Sequence, residues 1–282
     1  MYKEEEDFER WMKELSCYII RDKISSSFNF LRTLGEGSFG KVFLAMRLNE
    51  PYELVAVKVL DCSRMKSQPQ LLKQFLSEIE VHWVLESCDG MLGLQQIFED
   101  SDLFYLVLDY QESGTLLNQI GKSGCLSEAQ TKIVMEQLLL AVDYLHCRRV
   151  IHRDIKLENI LINKIEEGGE IKTKIADFGL AALAPKTGKL FDRSGTPNYM
   201  APEILKGEGY NEKVDIFSLG SVFFNLVTGH YLFQGSTYNE IILQNTLCYL
   251  EDHWVYLKGT SEHCQDLLKQ MLREDPKKRP SA

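Results

Sequence analysis

The periodicity of apolar residues changes part-way along this 282-residue chain, and the change limits the folds open to it. Between Phe30 and Asp109 the pattern is strand-like. FNFLRTLGEGSFGKVFLAMRL reads as strand, glycine turn, strand, and YELVAVKVLD adds a third strand of alternating small apolar residues. One helix, at 70–86, interrupts this region before DLFYLVLDY returns to strand. From about Leu126 onward the spacing is helical, as in SEAQTKIVMEQLLLAVDYLHCRR and in the very apolar EKVDIFSLGSVFFNLVTG. A β-rich first part and an α-rich second part predict an α+β chain of two subdomains joined near Asp109–Gly114. Ahead of both, Phe8, Trp11, Met12, Leu15 and Ile19 recur at helical spacing, so residues 5–20 read as an amphipathic helix.

Composition narrows the function classes. A net charge of −9 argues against general nucleic-acid binding and mildly favours basic substrates. No apolar run approaches the ~18–20 residues of a transmembrane helix. The acidic, polar start MYKEEEDFERW matches neither a signal peptide nor a mitochondrial presequence. Seven scattered cysteines, never arranged as CxxC, argue against zinc or a disulfide framework. They fit a reducing, cytoplasmic compartment, where they pack as small apolar residues.

Three segments carry chemistry. Gly35-Glu36-Gly37-Ser38-Phe39-Gly40-Lys41-Val42 lies between two strands. GxGxxG also opens dinucleotide-binding folds, but here a strand follows the glycines instead of a helix, and no GK[ST] is present. Glycines let a hairpin backbone close over phosphates with no Cβ in the way; the plainer reading is a glycine-rich hairpin. In Val55-Ala56-Val57-Lys58 a lysine stands between apolar strand residues. It is either an edge or surface residue, or a buried cation that needs an anion. A nucleotide phosphate would serve, as would a carboxylate of the next helix, Glu78 before Glu80.

The third segment is Ile151-His152-Arg153-Asp154-Ile155-Lys156-Leu157-Glu158-Asn159-Ile160-Leu161-Ile162, followed by Ile175-Ala176-Asp177-Phe178-Gly179-Leu180. Polar groups between apolar flanks are how a strand-edged loop faces a cleft. Phosphoryl transfer has a task for each. Asp154 would orient an attacking hydroxyl and take its proton. Lys156 would stabilise charge on the transferring group. Asn159 and Asp177 would hold magnesium, which prefers a few carboxylate or amide oxygens plus phosphate and water. Any one of them could be a turn residue; the whole string is hard to explain so.

From about Phe30 onward the sequence resembles the eukaryotic protein kinase family: GEGSFGKV, VAVK, HRDIKLEN, DFG, Ala201-Pro202-Glu203, DIFSLG (215–220) and RPS (279–281) match its motifs in kind, order and separation. The resemblance implies a bilobal fold with a β-rich N-lobe (29–108), a hinge (109–114) and an α-helical C-lobe (115–282), with ATP and Mg2+ as cofactors. It implies a Lys58–Glu78 ion pair, a buried Glu203–Arg279 pair, and Asp215 anchoring the catalytic loop. Leu108 takes the gatekeeper position, Asp109-Tyr110-Gln111 offers backbone bonds to adenine, and Val42, Ala56 and Leu161 enclose it. His82, Leu94, His152 and Phe178 would form a stacked column.

Lys156 within DIKLEN and the segment Ser194-Gly195-Thr196-Pro197-Asn198-Tyr199 resemble serine/threonine kinases, and Leu180 after DFG resembles those preferring serine. Protein substrates with Ser/Thr acceptors are therefore the expected partners. Glu158 could receive a basic residue upstream of the acceptor, but Asn225 and Thr115 stand where strongly arginine-directed relatives carry glutamates. The Asn163–Thr173 segment with SGTPNY resembles the calcium/calmodulin-dependent-like group. Phe217 replaces a tryptophan and His82 a leucine; neither removes a catalytic group, so a nucleotide-binding scaffold is the weaker alternative. Arg153 calls for an anion on the activation segment, and Asp192 stands where a phosphothreonine is usual. Residues 1–28 resemble the closing helix of a pleckstrin-homology domain, through which membrane recruitment would come, or an appended helix packing on the N-lobe. Stopping at RPSA, the chain is expected to lack the fold's last helix.

Overall fold

Period-two alternation makes the first third of the chain a sheet. In the computed structural model, which describes residues 19–37, 40–50, 52–85, 88–162 and 171–282, the strands β1 (Ile20–Arg21), β2 (Phe28–Gly37), β3 (Gly40–Arg47) and β4 (Leu54–Asp61) come first. Two helices follow, α1 (Cys62–Ser67) and α2 (Pro69–Leu85), and then β5 (Leu94–Asp100) and β6 (Leu103–Asp109). The strand order is β1-β5-β6-β4-β3-β2, antiparallel except for β1 against β5.

Register decides which residues share a face. Val42 is opposite Lys58 and Leu44 opposite Ala56, while Leu106 and Leu108 face the same two residues from the other side. Directly opposed residues, and residues two apart, point the same way. Val42, Ala56, Lys58 and Leu108 therefore line one face. On the other, Phe28, Ala45, Val55, Val57, Phe98 and Val107 pack with Ile24 into a buried cluster, where Phe28 meets Phe98 edge-on at 5.8 Å.

Two local features depart from the sequence pattern. Helix α1 is too short to show a period; it starts because the Asp61 side chain accepts from the N–H groups of Ser63 and Arg64. Of the amphipathic helix expected over 5–20, residues up to 18 lie outside the described residues. Its last residue, Ile20, is in β1, where backbone pairing beside Ile97 overrides the helical spacing.

The remainder is largely helical: α3 (Leu116–Ser123), α4 (Glu128–Cys147), β7 (Val150–Ile151), β8 (Ile160–Ile162), β9 (Thr173–Ile175), β10 (Ala182–Leu183), α5 (Pro202–Leu205), α6 (Lys213–Thr228), α7 (Tyr238–Leu247) and α8 (Glu262–Met271). Helices α3 and α4 open on capping boxes, Thr115 with Asn118 and Ser127 with Gln130. Helix α6 is buried from Val214 to Leu226, as its nearly continuous apolar run requires. The described residues of Met1–Ser87 with Leu92–Tyr110 form one compact unit, and Cys88–Met91 with Gln111–Ala282 a second.

In the second unit a buried ion pair ties α5 to the end of the chain. Arg279 donates to both Glu203 oxygens, at 2.6 and 2.8 Å. Its remaining N–H groups go to the carbonyls of Arg273, Glu274 and Lys213, which uses all five guanidinium donors. The guanidinium lies 4.9 Å from the centre of the Phe217 ring, which stacks on Phe233, so phenylalanine serves where tryptophan is usual. Both charges are 3% exposed, and a lone buried charge is costly. Glu203→Ala is expected to lower stability by about 3–5 kcal/mol, read from urea or thermal midpoints; an unchanged midpoint would refute the structural role of the pair.

Candidate active site

The first unit holds a buried cation and a glycine hairpin. Lys58 sits on β4, an interior strand, so the edge or surface reading does not apply. It is 7% exposed and donates to both oxygens of Glu78 at 2.8 Å. Glu78 is buried on α2, whereas Glu80 is exposed. That selection follows from helical geometry, because residues two apart cannot face the same partner.

Gly35, Glu36 and Gly37 end β2, Gly40 opens β3, and Ser38 and Phe39 lie outside the described residues. The glycines differ in what they do. Gly40 has φ +145°, and a Cβ there would stand 2.0 Å from the Val59 carbonyl oxygen, so the sheet itself demands glycine. A Cβ on Gly35 would meet nothing within 4 Å. Packing does not require that glycine, and its backbone is open to close approach by a ligand.

Leu108 and Asp109 end β6 in the first unit, and Gln111 begins the second. The Asp109 carboxylate is engaged within its own unit, accepting from Gly93 N–H (3.2 Å) and Gln95 Nε2 (3.0 Å). Leu161 lies half-buried on β8, bridged to Thr115.

In the second unit the predicted polar string converges. Asp154, 7% exposed, is met by three side chains. Thr196 Oγ1 donates to its Oδ1 at 2.7 Å. Asn159 Nδ2 reaches Oδ2 at 3.0 Å and the Asp154 carbonyl at 2.9 Å. Lys156 Nζ lies 2.7 Å from Oδ2 and donates to Thr196 Oγ1 at 2.9 Å. Gly195, at φ +123°, lets this segment press on the loop; a Cβ there would stand 2.6 Å from the Arg153 carbonyl. Asn159 precedes β8, and Asp177, at φ +64°, follows β9. The β8–β9 pairing of Ile160 with Ile175 thus sets the two candidate metal ligands.

The loop is held from below by α6. Asp215, fully buried, accepts from the N–H groups of His152 and Arg153 at 2.9 Å each and contacts His146 Nε2 at 2.9 Å. Burial pushes this carboxyl's pKa up, but the His146 bond, the neighbouring histidines and the Arg153 N–H outweigh it and hold it below the usual carboxylate range. His152 accepts from Asp154 N–H at Nδ1 and meets the Ala176 carbonyl at Nε2, which places its proton on Nε2. Its ring lies 5.2 Å from that of Phe178.

Arg153 donates to Asp192 Oδ2 at 2.9 Å, to Tyr210 Oη at 3.1 Å and to the Leu180 carbonyl at 2.6 Å. Tyr210 in turn donates to the Asp192 carbonyl at 2.8 Å. The sequence pattern does not single out Tyr210; its only local signal is an aromatic residue in a glycine-rich turn. Thr115 caps α3 and Asn225 donates to the His230 carbonyl, so both positions are engaged in holding backbone.

The protein kinase domain model matches residues 28–282. The chain is 32% identical over 250 residues to the probable serine/threonine-protein kinase MARK-A of Dictyostelium discoideum, covering 88% of this chain and 22% of that protein. It is 34% identical over 254 residues to CBL-interacting protein kinase 11 of Oryza sativa subsp. japonica, covering 89% and 48%. A probable serine/threonine-protein kinase 2 of Plasmodium falciparum is 32% identical over 255 residues, covering 89% and 47%. The chain thus spans about a fifth to a half of these relatives' lengths.

His82 lies one helical turn beyond Glu78 on α2. Desolvation, and then the Lys58 ammonium, lower its pKa to about 4, against a smaller opposing pull from Asp109. An unfolded histidine titrates near ~6.5. The unfolded chain therefore binds the proton more readily, and the contribution is complete above pH ~6.5 and lost as pH falls from there toward 4. His82→Leu is expected to flatten the stability–pH curve over that window by up to about 1.4 kcal/mol per pH unit, measured by urea unfolding. Parallel curves for the two proteins would rule this out.

Proposed function

We propose that this chain, which belongs to the protein kinase domain family, transfers the γ-phosphate of Mg·ATP to serine or threonine hydroxyls of protein substrates. The observation that carries the reading is the convergence of Lys156, Asn159 and Thr196 on the Asp154 carboxylate. Three donors fix that carboxylate before any substrate arrives, as a reaction that depends mostly on positioning requires.

The residues fit the cofactors. Asn159 spends its amide N–H groups on Asp154, which leaves the amide oxygen as a ligand of the hard-cation type, with Asp177 supplying the carboxylate. The open backbone at Gly35 and the buried ammonium of Lys58 suit phosphate oxygens. Magnesium-bound ATP supplies the phosphoryl group. Asp154 aligns the acceptor hydroxyl and takes its proton as that oxygen bonds to the γ-phosphorus, while the phosphorus–oxygen bond to ADP breaks and ADP leaves. Lys156, beside it, balances negative charge on the group in transit. Val42, Ala56, Leu108 and Leu161 supply apolar surface for the base, and Asp109 and Gln111 the backbone groups that orient it. Of the finer readings, SGTPNY supports a calcium/calmodulin-dependent-like grouping and Leu180 a preference for serine. The domain limits 29–108, 109–114 and 115–282 follow the same resemblance.

The arginine preceding Asp154 supports a regulatory reading. Arg153 is buried and charged, and Asp192 supplies its anion without phosphorylation. Activity is then less dependent on modification of the loop.

Two measurements test these readings. With γ-labelled ATP and a generic basic protein, Asp154→Asn and Asp177→Ala are expected to lower the rate by roughly 10²–10⁴-fold; rates equal to wild type would favour a nucleotide-binding scaffold. Phosphatase treatment is expected to leave wild-type activity in place, while Asp192→Ala lowers it about ten-fold, the size of one lost charged hydrogen bond. Activity that vanishes with phosphatase and ignores Asp192→Ala would overturn the regulatory reading.

A further inference from the structure

Helix α7 has ten residues, and Asn245 is the single buried one. Tyr238, Leu243 and Leu247 are 58–65% exposed, whereas Asn245 has no exposed surface. An amide is an expensive anchor for a surface helix unless its hydrogen bonds do something an apolar side chain cannot. Its Nδ2 donates to the Pro197 carbonyl at 2.6 Å and to the Met200 carbonyl at 2.9 Å. The same short stretch is held from α6, where Ser221 donates to the Asn198 carbonyl at 3.1 Å and Ser218 to the Tyr199 carbonyl at 2.9 Å. Four consecutive carbonyls, 197 to 200, are thus held by three buried side chains, while the N–H groups of Tyr199 and Met200 close onto the Thr196 carbonyl. Bonds to these carbonyls and from these two N–H groups restrict how the segment can rearrange. The residue it presents is Thr196, whose hydroxyl bonds Asp154 and Lys156.

We propose that Asn245 is a positioning residue for the acceptor: through two loop carbonyls it sets the 196–200 segment against Asp154, and with it the surface on which a Ser/Thr peptide is aligned. The proposal rests on the kinase reading above. An aspartate at 245 keeps the shape but turns two donors into acceptors facing carbonyls.

Asn245→Asp is expected to raise KM for a serine peptide about ten-fold, the size of one lost buried hydrogen bond, with KM for ATP within two-fold of wild type. Ser221→Ala, which removes one bond from a different helix, should act in the same direction and serves if the first variant fails to fold. A peptide KM unchanged in a folded variant, or peptide and ATP values rising together, would overturn the proposal. Amide hydrogen exchange separates this outcome from failure of the kinase reading. Asn245→Asp, or Ser221→Ala in its place, should speed exchange across 196–201 more than across 152–159, whether or not wild type transfers phosphate. A wild type without transfer activity sinks the kinase reading, and exchange unchanged across 196–201 sinks the role of Asn245.

Discussion

Asp215 carries a charge in a place with no access to water, and the loop above it is shaped by that carboxylate. Its two oxygens take the N–H groups of His152 and Arg153, just before Asp154. Arg153 has φ +69°, a left-handed conformation that a bulky residue adopts only when its surroundings impose it. A buried carboxylate accepting two consecutive N–H groups is such an imposition, and charge-assisted bonds of this kind are roughly twice as strong as neutral ones. The His146 bond and the Arg153 N–H favour the ionised group although burial opposes it. Were the carboxyl protonated, one oxygen would become a donor facing an N–H, and the turn would lose half its reason to form.

The same helix reaches the other side of the site. Ser218 and Ser221, one and two turns beyond Asp215, hold the Tyr199 and Asn198 carbonyls. Asp154 and Thr196 therefore hang from a single buried helix, and the 2.7 Å bond between them joins two loops with a common support. Phe217, between Asp215 and Ser218, takes the Arg279 guanidinium against its ring. Helix α6 is buried from Val214 to Leu226, yet Asp215, Ser218 and Ser221 each hold backbone of another segment. A rigid element that does this at three places couples the placement of the 152–159 loop to that of the 196–200 segment.

How much of this was legible before the structure follows from sequence distance. Asp154, Lys156 and Asn159 lie within six residues and Asp177 follows a short strand, so the chemistry prints as a compact string. Lys58 and Glu78 were readable as a pair only through the family resemblance, because a strand lysine alone reads equally as an edge residue and Glu80 stood beside Glu78 as a second carboxylate. Asn245 was not readable. Its partners lie 45 and 48 residues earlier, and an asparagine in a helix otherwise reads as surface. Ile20 failed for a similar reason: its helical spacing is local, while its pairing with β5 joins residues 77 apart. Helix α1 was missed because six residues show no period and its stability comes from one capping aspartate. The domain limits and the nucleotide contacts stay with the family resemblance.

The anion beside Arg153 shows where inference from a single residue type stops and geometry takes over. Position 192 reads in sequence as an acidic loop residue that stands where a phosphothreonine is usual. In the fold, Tyr210 makes it more than that. Tyr210 holds the Asp192 carbonyl with its hydroxyl, accepts from Arg153, and pairs by backbone with Leu190 in both directions. The carboxylate is thus delivered to the guanidinium by a backbone already fixed on both sides. Burial pushes the Tyr210 pKa up, so its hydroxyl keeps the proton it donates. A carboxylate carries about half the charge of a phosphate at neutral pH, and half-exposed it is further weakened by solvent. Preorganisation compensates: an anion that needs no ordering on arrival loses less entropy on binding than one on a loose loop. Charge alone would rank Asp192 well below a phosphate, and the Tyr210 bridge narrows that gap.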